Sequence, residues 1–144
     1  MEIVKFTVED QDLSPVRQHD GDAGWDLHAS QEVDVPAGQM RPVKTGLRME
    51  IPPGYFCDVR SRSGLAAKHS LCVLNSPGTI DSGYRGEIVV LLFNAHADAS
   101  YRVKRGDRVA QLVFQSLPQI VMKRVAELET AKDGRNAAGL GSTG

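Results

Sequence analysis

The sequence has 144 residues, of which 41% are hydrophobic, and its formal net charge is −1 at pH 7. A chain of this size and composition is most simply one domain with a buried core. The near-zero charge offers no basic surface for nucleic acid or an anionic membrane, and no apolar run approaches the roughly 20 residues of a membrane-spanning helix.

Short strand patterns separated by glycine and proline turns fill the first part of the chain. Residues 3–8 alternate between apolar and polar side chains, which predicts a half-buried strand, and the polar residues 11–22 predict a loop. Further short strands are predicted at residues 22–29, 32–35, 39–44, 47–51 and 55–60.

The only predicted α-helix begins near Ser63, which is a good N-cap, and continues through the Leu-Ala-Ala-Lys run that follows it. A turn-rich hairpin is predicted at residues 75–87, where glycines provide positions for a positive φ. Residues 88–93 are apolar and rich in β-branched side chains, which predicts a buried strand. Other strands are predicted at residues 71–74, 101–103, 108–114 and 120–125.

Many short strands with glycine and proline turns indicate an all-β barrel or sandwich. From residue 129 the chain is polar and rich in Gly and Ala, so it cannot bury a core and is predicted to be a mobile arm. We therefore expect a domain over residues 1–128 and an arm over residues 129–144. Cys57 and Cys72 lack metal or redox spacing, which predicts buried free thiols in a reducing cytoplasm.

The familiar catalytic motifs are missing from the sequence. Gly134 and Gly139 have the glycine spacing of a P-loop, but Leu140 and Gly141 follow where Lys and Ser or Thr are required. The four histidines are scattered, which makes a zinc site improbable, and no serine or cysteine has a recognisable base partner.

Several dispersed polar residues could instead contact a phosphate. Arg62, Ser63 and Gly64 offer a guanidinium, a hydroxyl and free N–H groups, although an ordinary helix start beside a solvated arginine explains them equally well. Asp26 could be a simple turn acid, and Gln111 could be the solvent-facing member of an alternating strand. In the hairpin at residues 75–87, backbone groups at the tip could read the edge of a flat ring.

Five segments, taken in order, resemble the five motifs of the trimeric dUTPases (deoxyuridine triphosphate nucleotidohydrolases). The segments are Ala-Gly-Trp-Asp-Leu at 23–27, Arg-Ser-Gly-Leu-Ala at 62–66, Gly-Thr-Ile-Asp-Ser-Gly-Tyr-Arg-Gly-Glu at 78–87, Arg-Gly-Asp-Arg-Val-Ala-Gln-Leu at 105–112, and Arg135 followed by Gly-Leu-Gly-Ser-Thr-Gly at 139–144. The resemblance spans residues 23–144.

The resemblance implies a jelly-roll-like distorted β-barrel with one short helix, assembled as a homotrimer in which each active site draws on all three chains. It also implies hydrolysis of dUTP to dUMP and pyrophosphate with Mg²⁺ on the triphosphate. Such an activity limits uracil incorporation into DNA and supplies dUMP for dTMP synthesis.

Roles carried over by the resemblance centre on Asp81, which would orient and deprotonate the water that attacks the α-phosphate. Asp26 would meet the metal through water, and Tyr84 would pack on the deoxyribose and exclude a 2′-hydroxyl. The phosphate-binding positions would be Arg62, Ser63, Gly64 and Gln111. The uracil-reading positions would be Asn75, Gly78, Thr79, Ile80 and the rest of the hairpin backbone up to Tyr84.

The fifth segment would close over the bound nucleotide. Its substrate-binding residues would be Arg135, Leu140, Gly141, Ser142 and Thr143. Asn136 and Ala138 replace glycines of the family pattern, and Leu140 replaces the aromatic ring that stacks over uracil. Leu140 can cover the base but lacks a π face, which predicts a lid that closes less tightly.

Two other functions are compatible with the same fold. A dCTP deaminase would use different chemistry, and Asp81 within Thr-Ile-Asp argues against it. A non-enzymatic module that binds a partner protein would have no need of Asp81, Arg62 and Tyr84 together. We therefore expect a dUTPase.

Overall fold

The computed structural model describes residues 1–132, and in that range it contains eleven β-strands, one α-helix and a 3₁₀ turn at Gln11–Leu13. The helix is α1 (Ser63–His69). The strands are β1 (Lys5–Thr7), β2 (Gly24–His28), β3 (Val33–Val35), β4 (Met40–Lys44), β5 (Arg48–Glu50), β6 (Tyr55–Arg60), β7 (Leu71–Val73), β8 (Gly78–Ile80), β9 (Val89–Asn94), β10 (Tyr101–Val103) and β11 (Arg108–Ser116).

All strand pairs in this range are antiparallel. One sheet has the order β2-β11-β6-β8, a second has the order β4-β9-β7, and two further pairs are β1-β5 and β3-β10. Both larger sheets contribute to a single core, with Leu27, Val59 and Leu112 from the first and Val43 and Val90 from the second all nearly inaccessible to water. The all-β prediction with one short helix is confirmed, but the four sheets do not close into one continuous barrel.

The predicted hairpin at residues 75–87 is organised differently from our expectation. Strand β8 pairs with β6, whereas β9 pairs with β4 and β7, so the two strands that flank residues 81–88 belong to different sheets. This segment is therefore a loop that connects two sheets. Strand β9 is also not buried throughout, because its side chains alternate and Val89 is 39% exposed.

The prediction of positive φ within residues 75–87 is wrong. In the described part of the chain, the glycines with positive φ lie in other turns, at Gly38, Gly46, Gly54 and Gly106. Gly86 has a different role, because a Cβ at this position would collide with the ring and hydroxyl of Tyr84 and displace them. The lack of a side chain, and not a special backbone conformation, lets the ring lie against Gly86.

The predicted strand at residues 120–125 is also wrong. Strand β11 ends at Ser116, and no strand follows it up to residue 132. Ile120, Val121 and Met122 are 74%, 92% and 94% exposed. Apolar side chains favour a strand only where a neighbouring strand supplies hydrogen bonds, and no such neighbour contacts this segment within residues 1–132.

Smaller differences concern the ends of elements and the cysteines. Strand β1 is shorter and more exposed than predicted, and Arg62, not Ser63, is the N-cap of α1. Cys57 and Cys72 are both free, but only Cys57 is buried, and burial raises the pKa of its thiol to about 12. Within residues 1–132, no helix has the length and apolar character needed to cross a membrane.

Candidate active site

A polar cleft of about 330 Å³ lies beside the first turn of α1. Its walls come from the loop before β2, from β2 itself, from the start of α1 and from β11. The lining residues are Gln18, Asp22, Ala23, Gly24, Asp26, Arg62, Ser63, Gly64 and Gln111. Five predicted site residues, from three segments that are far apart in sequence, therefore line one cleft.

Strand register explains why these side chains meet. Gln111 of β11 lies directly opposite Asp26 of β2 on one side and opposite Arg60 of β6 on the other. Directly opposed residues in antiparallel strands project from the same face of the sheet. The chain leaves β6 at Arg60 and enters α1 three residues later, at Ser63, which brings Arg62 and Ser63 to the same face.

Asp26 is the centre of the charge network in the cleft. Its side chain is 11% exposed, and it accepts hydrogen bonds from Arg62 Nε at 2.9 Å, from Arg108 Nη1 at 3.2 Å and from Gln18 Nε2 at 3.0 Å. Arg62 also donates from Nη1 to the carbonyl of Arg108 at 3.2 Å. A carboxylate this deeply buried is stable only when it is paired in this way, so Asp26 holds the Arg62 guanidinium at the wall of the cleft and also anchors Arg108, which does not line the cleft.

Gln111 has a fixed side-chain orientation. Its Nε2 donates to the carbonyl of Ser61 at 2.9 Å, and its Oε1 lies so close to Gly24 that a Cβ there would collide with it. A side chain at position 24 would displace the Gln111 amide, so glycine there leaves room for the amide beside β2.

The other predicted residues lie on β8 and on the loop that follows it. Gly78 is buried, and a Cβ at this position would lie 3.1 Å from Asn75 Nδ2, so the exposed Asn75 amide lies close to the start of β8. Thr79 pairs with Asp58 of β6, and Ile80 is the next residue of β8. The backbone of this group is thus fixed by the larger sheet.

The loop after β8 presents Asp81 and Tyr84 to solvent. Asp81 is exposed, and its carbonyl accepts a hydrogen bond from the Tyr84 N–H at 3.1 Å. The Tyr84 ring is 46% exposed and its hydroxyl donates to the carbonyl of Glu87 at 3.1 Å. The cleft lining includes no residue of this loop. One chain therefore carries two separate sets of candidate site residues, one around the cleft and one on the loop.

Comparison with known proteins identifies the family. A sequence model of the dUTPase family matches residues 12–144. The chain belongs to the dUTPase family. A relative from Crocosphaera subtropica, named deoxyuridine 5′-triphosphate nucleotidohydrolase, is 42% identical over 144 residues, which cover 100% of this chain and 99% of the relative.

Solved dUTPase structures have the same fold. A variant of the Staphylococcus bacteriophage 80alpha dUTPase with dUpNHpp superposes with a TM-score of 0.89 and 27% identity, covering 100% of this chain and 99% of the phage chain. A dUTPase variant from phage phi11 of S. aureus superposes with a TM-score of 0.78 and 26% identity over 88% of this chain and 98% of the other. That phage protein coordinates a structural Mg(II) ion.

Three of the five dUTPase motifs converge in this structure. The first, second and fourth motifs form the cleft, and the third motif forms β8 and the exposed loop. The fifth motif lies outside the described residues, and with it the predictions for Arg135, Leu140, Gly141, Ser142 and Thr143. The individual role of each site residue stays a prediction.

Two residues of the cleft network were missed by sequence reasoning. Arg108 lies in the predicted strand at residues 108–114 and Gln18 in the predicted polar loop at residues 11–22, and the sequence assigns neither side chain a role of its own. An isolated bridge between Val16 and Asp26, with N–H···O distances of 2.7 and 3.3 Å, places that loop alongside β2. No local sequence pattern marks such a bridge, because it depends on a contact between a loop and a strand.

Proposed function

We infer that this chain is a dUTP diphosphatase, which hydrolyses dUTP to dUMP and pyrophosphate. The observation that carries the inference is the cleft, where residues of three dUTPase motifs place a guanidinium, a hydroxyl, an amide and a carboxylate side by side. Such a set of donors, next to a buried acid, suits a polyphosphate better than an uncharged ligand.

In this proposal the cleft binds the triphosphate. Arg62, Ser63, Gly64 and Gln111 contact phosphate oxygens, and the pairing of Arg62 with Asp26 holds the guanidinium in place before substrate arrives. A preorganised cation costs little reorganisation when charge grows on the departing pyrophosphate.

The chemical step depends on Asp81. Its carboxylate accepts a proton from a water molecule as the water oxygen forms a bond to the α-phosphorus. The bond from that phosphorus to the oxygen bridging the α- and β-phosphates breaks, and pyrophosphate leaves with the bonding electrons.

The backbone from Gly78 to Tyr84, with Asn75, holds uracil and rejects cytosine, whose exchanged donor and acceptor groups would leave buried partners unpaired. The Tyr84 ring packs against the deoxyribose and leaves no space for a 2′-hydroxyl.

The cleft fits a Mg²⁺ ion that arrives with the triphosphate. Asp26 and Asp22 both line it and offer oxygen ligands, whereas no group of three or more His, Cys, Asp or Glu side chains in residues 1–132 forms a closed metal cage. Mg²⁺ usually keeps several waters and binds substrate phosphates, so contact with Asp26 through water is sufficient. When bound, the ion would neutralise phosphate charge.

Assembly as a homotrimer would complete the site. The loop with Asp81 does not line the cleft of its own chain, which suggests that another copy supplies it. The apolar segment after β11 also needs cover, since side chains from Leu117 to Leu128 are 50% to 94% exposed in one chain. A ring of identical chains places every loop beside a neighbour's cleft.

A nucleotide panel tests the proposed function. Pyrophosphate release is measured with dUTP, dCTP, dTTP and UTP, and ammonia release is measured with dCTP. We expect pyrophosphate from dUTP, with kcat/KM at least about a hundredfold above that for the other three nucleotides. Ammonia from dCTP would indicate the deaminase alternative, and no turnover of any nucleotide would favour a non-catalytic module.

We place the enzyme in the cytoplasm, which is consistent with the free cysteines.

Removal of residues 133–144 tests the predicted arm. We expect kcat/KM for dUTP to fall about a hundredfold or more, because Arg135, Ser142 and Thr143 are lost from the phosphates and Leu140 from the base. Light scattering should show an unchanged oligomer, since these residues are not proposed to hold the chains together. Undiminished turnover would contradict the lid.

A further inference from the structure

The loop that carries Asp81 and Tyr84 is attached at its far end to the connection between β4 and β5. The regular ladder between β4 and β9 ends at the pair Lys44 and Val89. Beyond that pair, residues 45–48 and 85–88 remain side by side without strand pairing to each other. One backbone hydrogen bond and three hydrogen bonds that involve side chains replace the ladder there.

The first two of these hydrogen bonds fix the residue before β9. The Thr45 hydroxyl donates to the carbonyl of Ile88 at 2.6 Å, and the Ile88 N–H donates to the carbonyl of Leu47 at 2.8 Å. Thr45 and Ile88 are each 1% exposed, so water does not compete for these bonds. The end of the loop is therefore rigid at Ile88.

Two further hydrogen bonds extend the attachment towards the loop tip. The Gly46 N–H donates to Glu87 Oε1 at 3.0 Å. Gly46 has a φ of +66°, which glycine tolerates. Arg48 Nη1 donates to the carbonyl of Arg85 at 3.2 Å. The loop is thus held at two points. The Glu87 side chain, which belongs to the loop, accepts from the Gly46 N–H, and the Arg48 side chain, which lies outside the loop, donates to the loop carbonyl of Arg85.

Glu87 also connects this attachment to the aromatic ring. Its carbonyl accepts the hydrogen bond from the Tyr84 hydroxyl, and the ring rests on Gly86 immediately before it. The Glu87 carbonyl is itself fixed, because it shares a peptide group with the Ile88 N–H. The segment before it, which carries the ring, is tied to Gly46 by the Glu87 side chain and to Arg48 by the Arg85 carbonyl, so losing either bond frees that segment to move. Neither Glu87 nor Arg48 lines the cleft.

We propose that Glu87 and Arg48 are positioning residues that set the discrimination between deoxyribose and ribose by holding Tyr84 in place. The inference rests on the proposed function, in which the Tyr84 ring leaves no space for a 2′-hydroxyl. Loss of either attachment lets the ring move away and admits UTP, while the backbone contacts to uracil and the reacting groups are retained.

The measurement is the ratio of kcat/KM for UTP to kcat/KM for dUTP in the full chain. For Glu87→Ala we expect the ratio to rise about tenfold, and for Arg48→Met about threefold, as a hydrogen bond to a charged group is lost in each. Glu87→Gln keeps an acceptor oxygen for the Gly46 N–H, so its ratio should stay within about twofold of wild type. Glu32→Ala, which removes an exposed ion pair with Arg102 on the β3–β10 sheet, is the matched control and should leave the ratio unchanged.

The possible outcomes separate this inference from the proposed function. If the wild-type chain releases no pyrophosphate from dUTP, the proposed function fails and the positioning role with it. If the wild type is active and the folded Glu87→Ala and Arg48→Met variants keep its ratio, the positioning role alone is overturned, even where the melting temperature falls. Should Glu87→Ala not fold, Arg48→Met decides the question.

Discussion

Asp81→Asn is expected to lower kcat for dUTP by about a thousandfold or more. The substitution keeps the size of the side chain and one acceptor oxygen, but it replaces the other oxygen with an NH2 donor, and an amide cannot accept the proton of the attacking water. Asp81 is exposed on a loop, so the fold has no need of its charge, and the melting temperature should not change. Stopped-flow or pH-indicator assays of proton release give kcat directly.

Binding of a non-hydrolysable analogue distinguishes a lost base from a lost site. Calorimetry with dUpNHpp should give Asp81→Asn an affinity within about tenfold of wild type, since the proposed phosphate contacts come from the cleft. Asp20→Asn, another exposed acid in the chain, is the matched control and should keep full activity. A kcat for Asp81→Asn within about tenfold of wild type would remove Asp81 from the proposed chemistry.

Arg62→Ala is expected to lower kcat/KM for dUTP by about a hundredfold or more. The guanidinium is proposed to bind the triphosphate, and it also pairs with Asp26, whose side chain is 11% exposed. Removing it leaves Asp26 with Arg108 and Gln18 only, so we expect the free energy of unfolding to fall by about 1–3 kcal/mol. Arg102→Ala, which breaks two ion pairs between largely exposed side chains, is the control and should affect neither quantity by a comparable amount.

Mixing the two variants tests whether one site takes residues from two chains. If the cleft of one copy uses the loop of another, a co-expressed mixture of Arg62→Ala and Asp81→Asn chains contains some sites with both residues intact. Random assembly of equal amounts predicts about a quarter of the wild-type activity, whereas each variant alone is inactive. If the mixture is as inactive as its components, cleft and loop act within one chain and the shared site is wrong.

Local sequence patterns predicted the strands of this protein well. Strand β6 has the predicted bounds, and β2, β4 and β10 match within two residues, because period-two alternation and the turns that interrupt it are local properties. Residues 120–125 show the limit of this reasoning. Their apolar side chains satisfy the same pattern, yet they form no strand, since a strand exists only where another strand pairs with it.

The order of the five motifs was sufficient to predict the family from the sequence alone, because motif order does not depend on knowing which segments touch. Tertiary structure decided which residues act together. Arg108 and Gln18 pair with Asp26, and Glu87 binds Gly46, across segments that are separated along the chain. The Tyr84 ring approaches Gly86 because the loop folds back on itself. A side chain's neighbours follow from strand register and loop paths, and these are determined only when the whole core has packed.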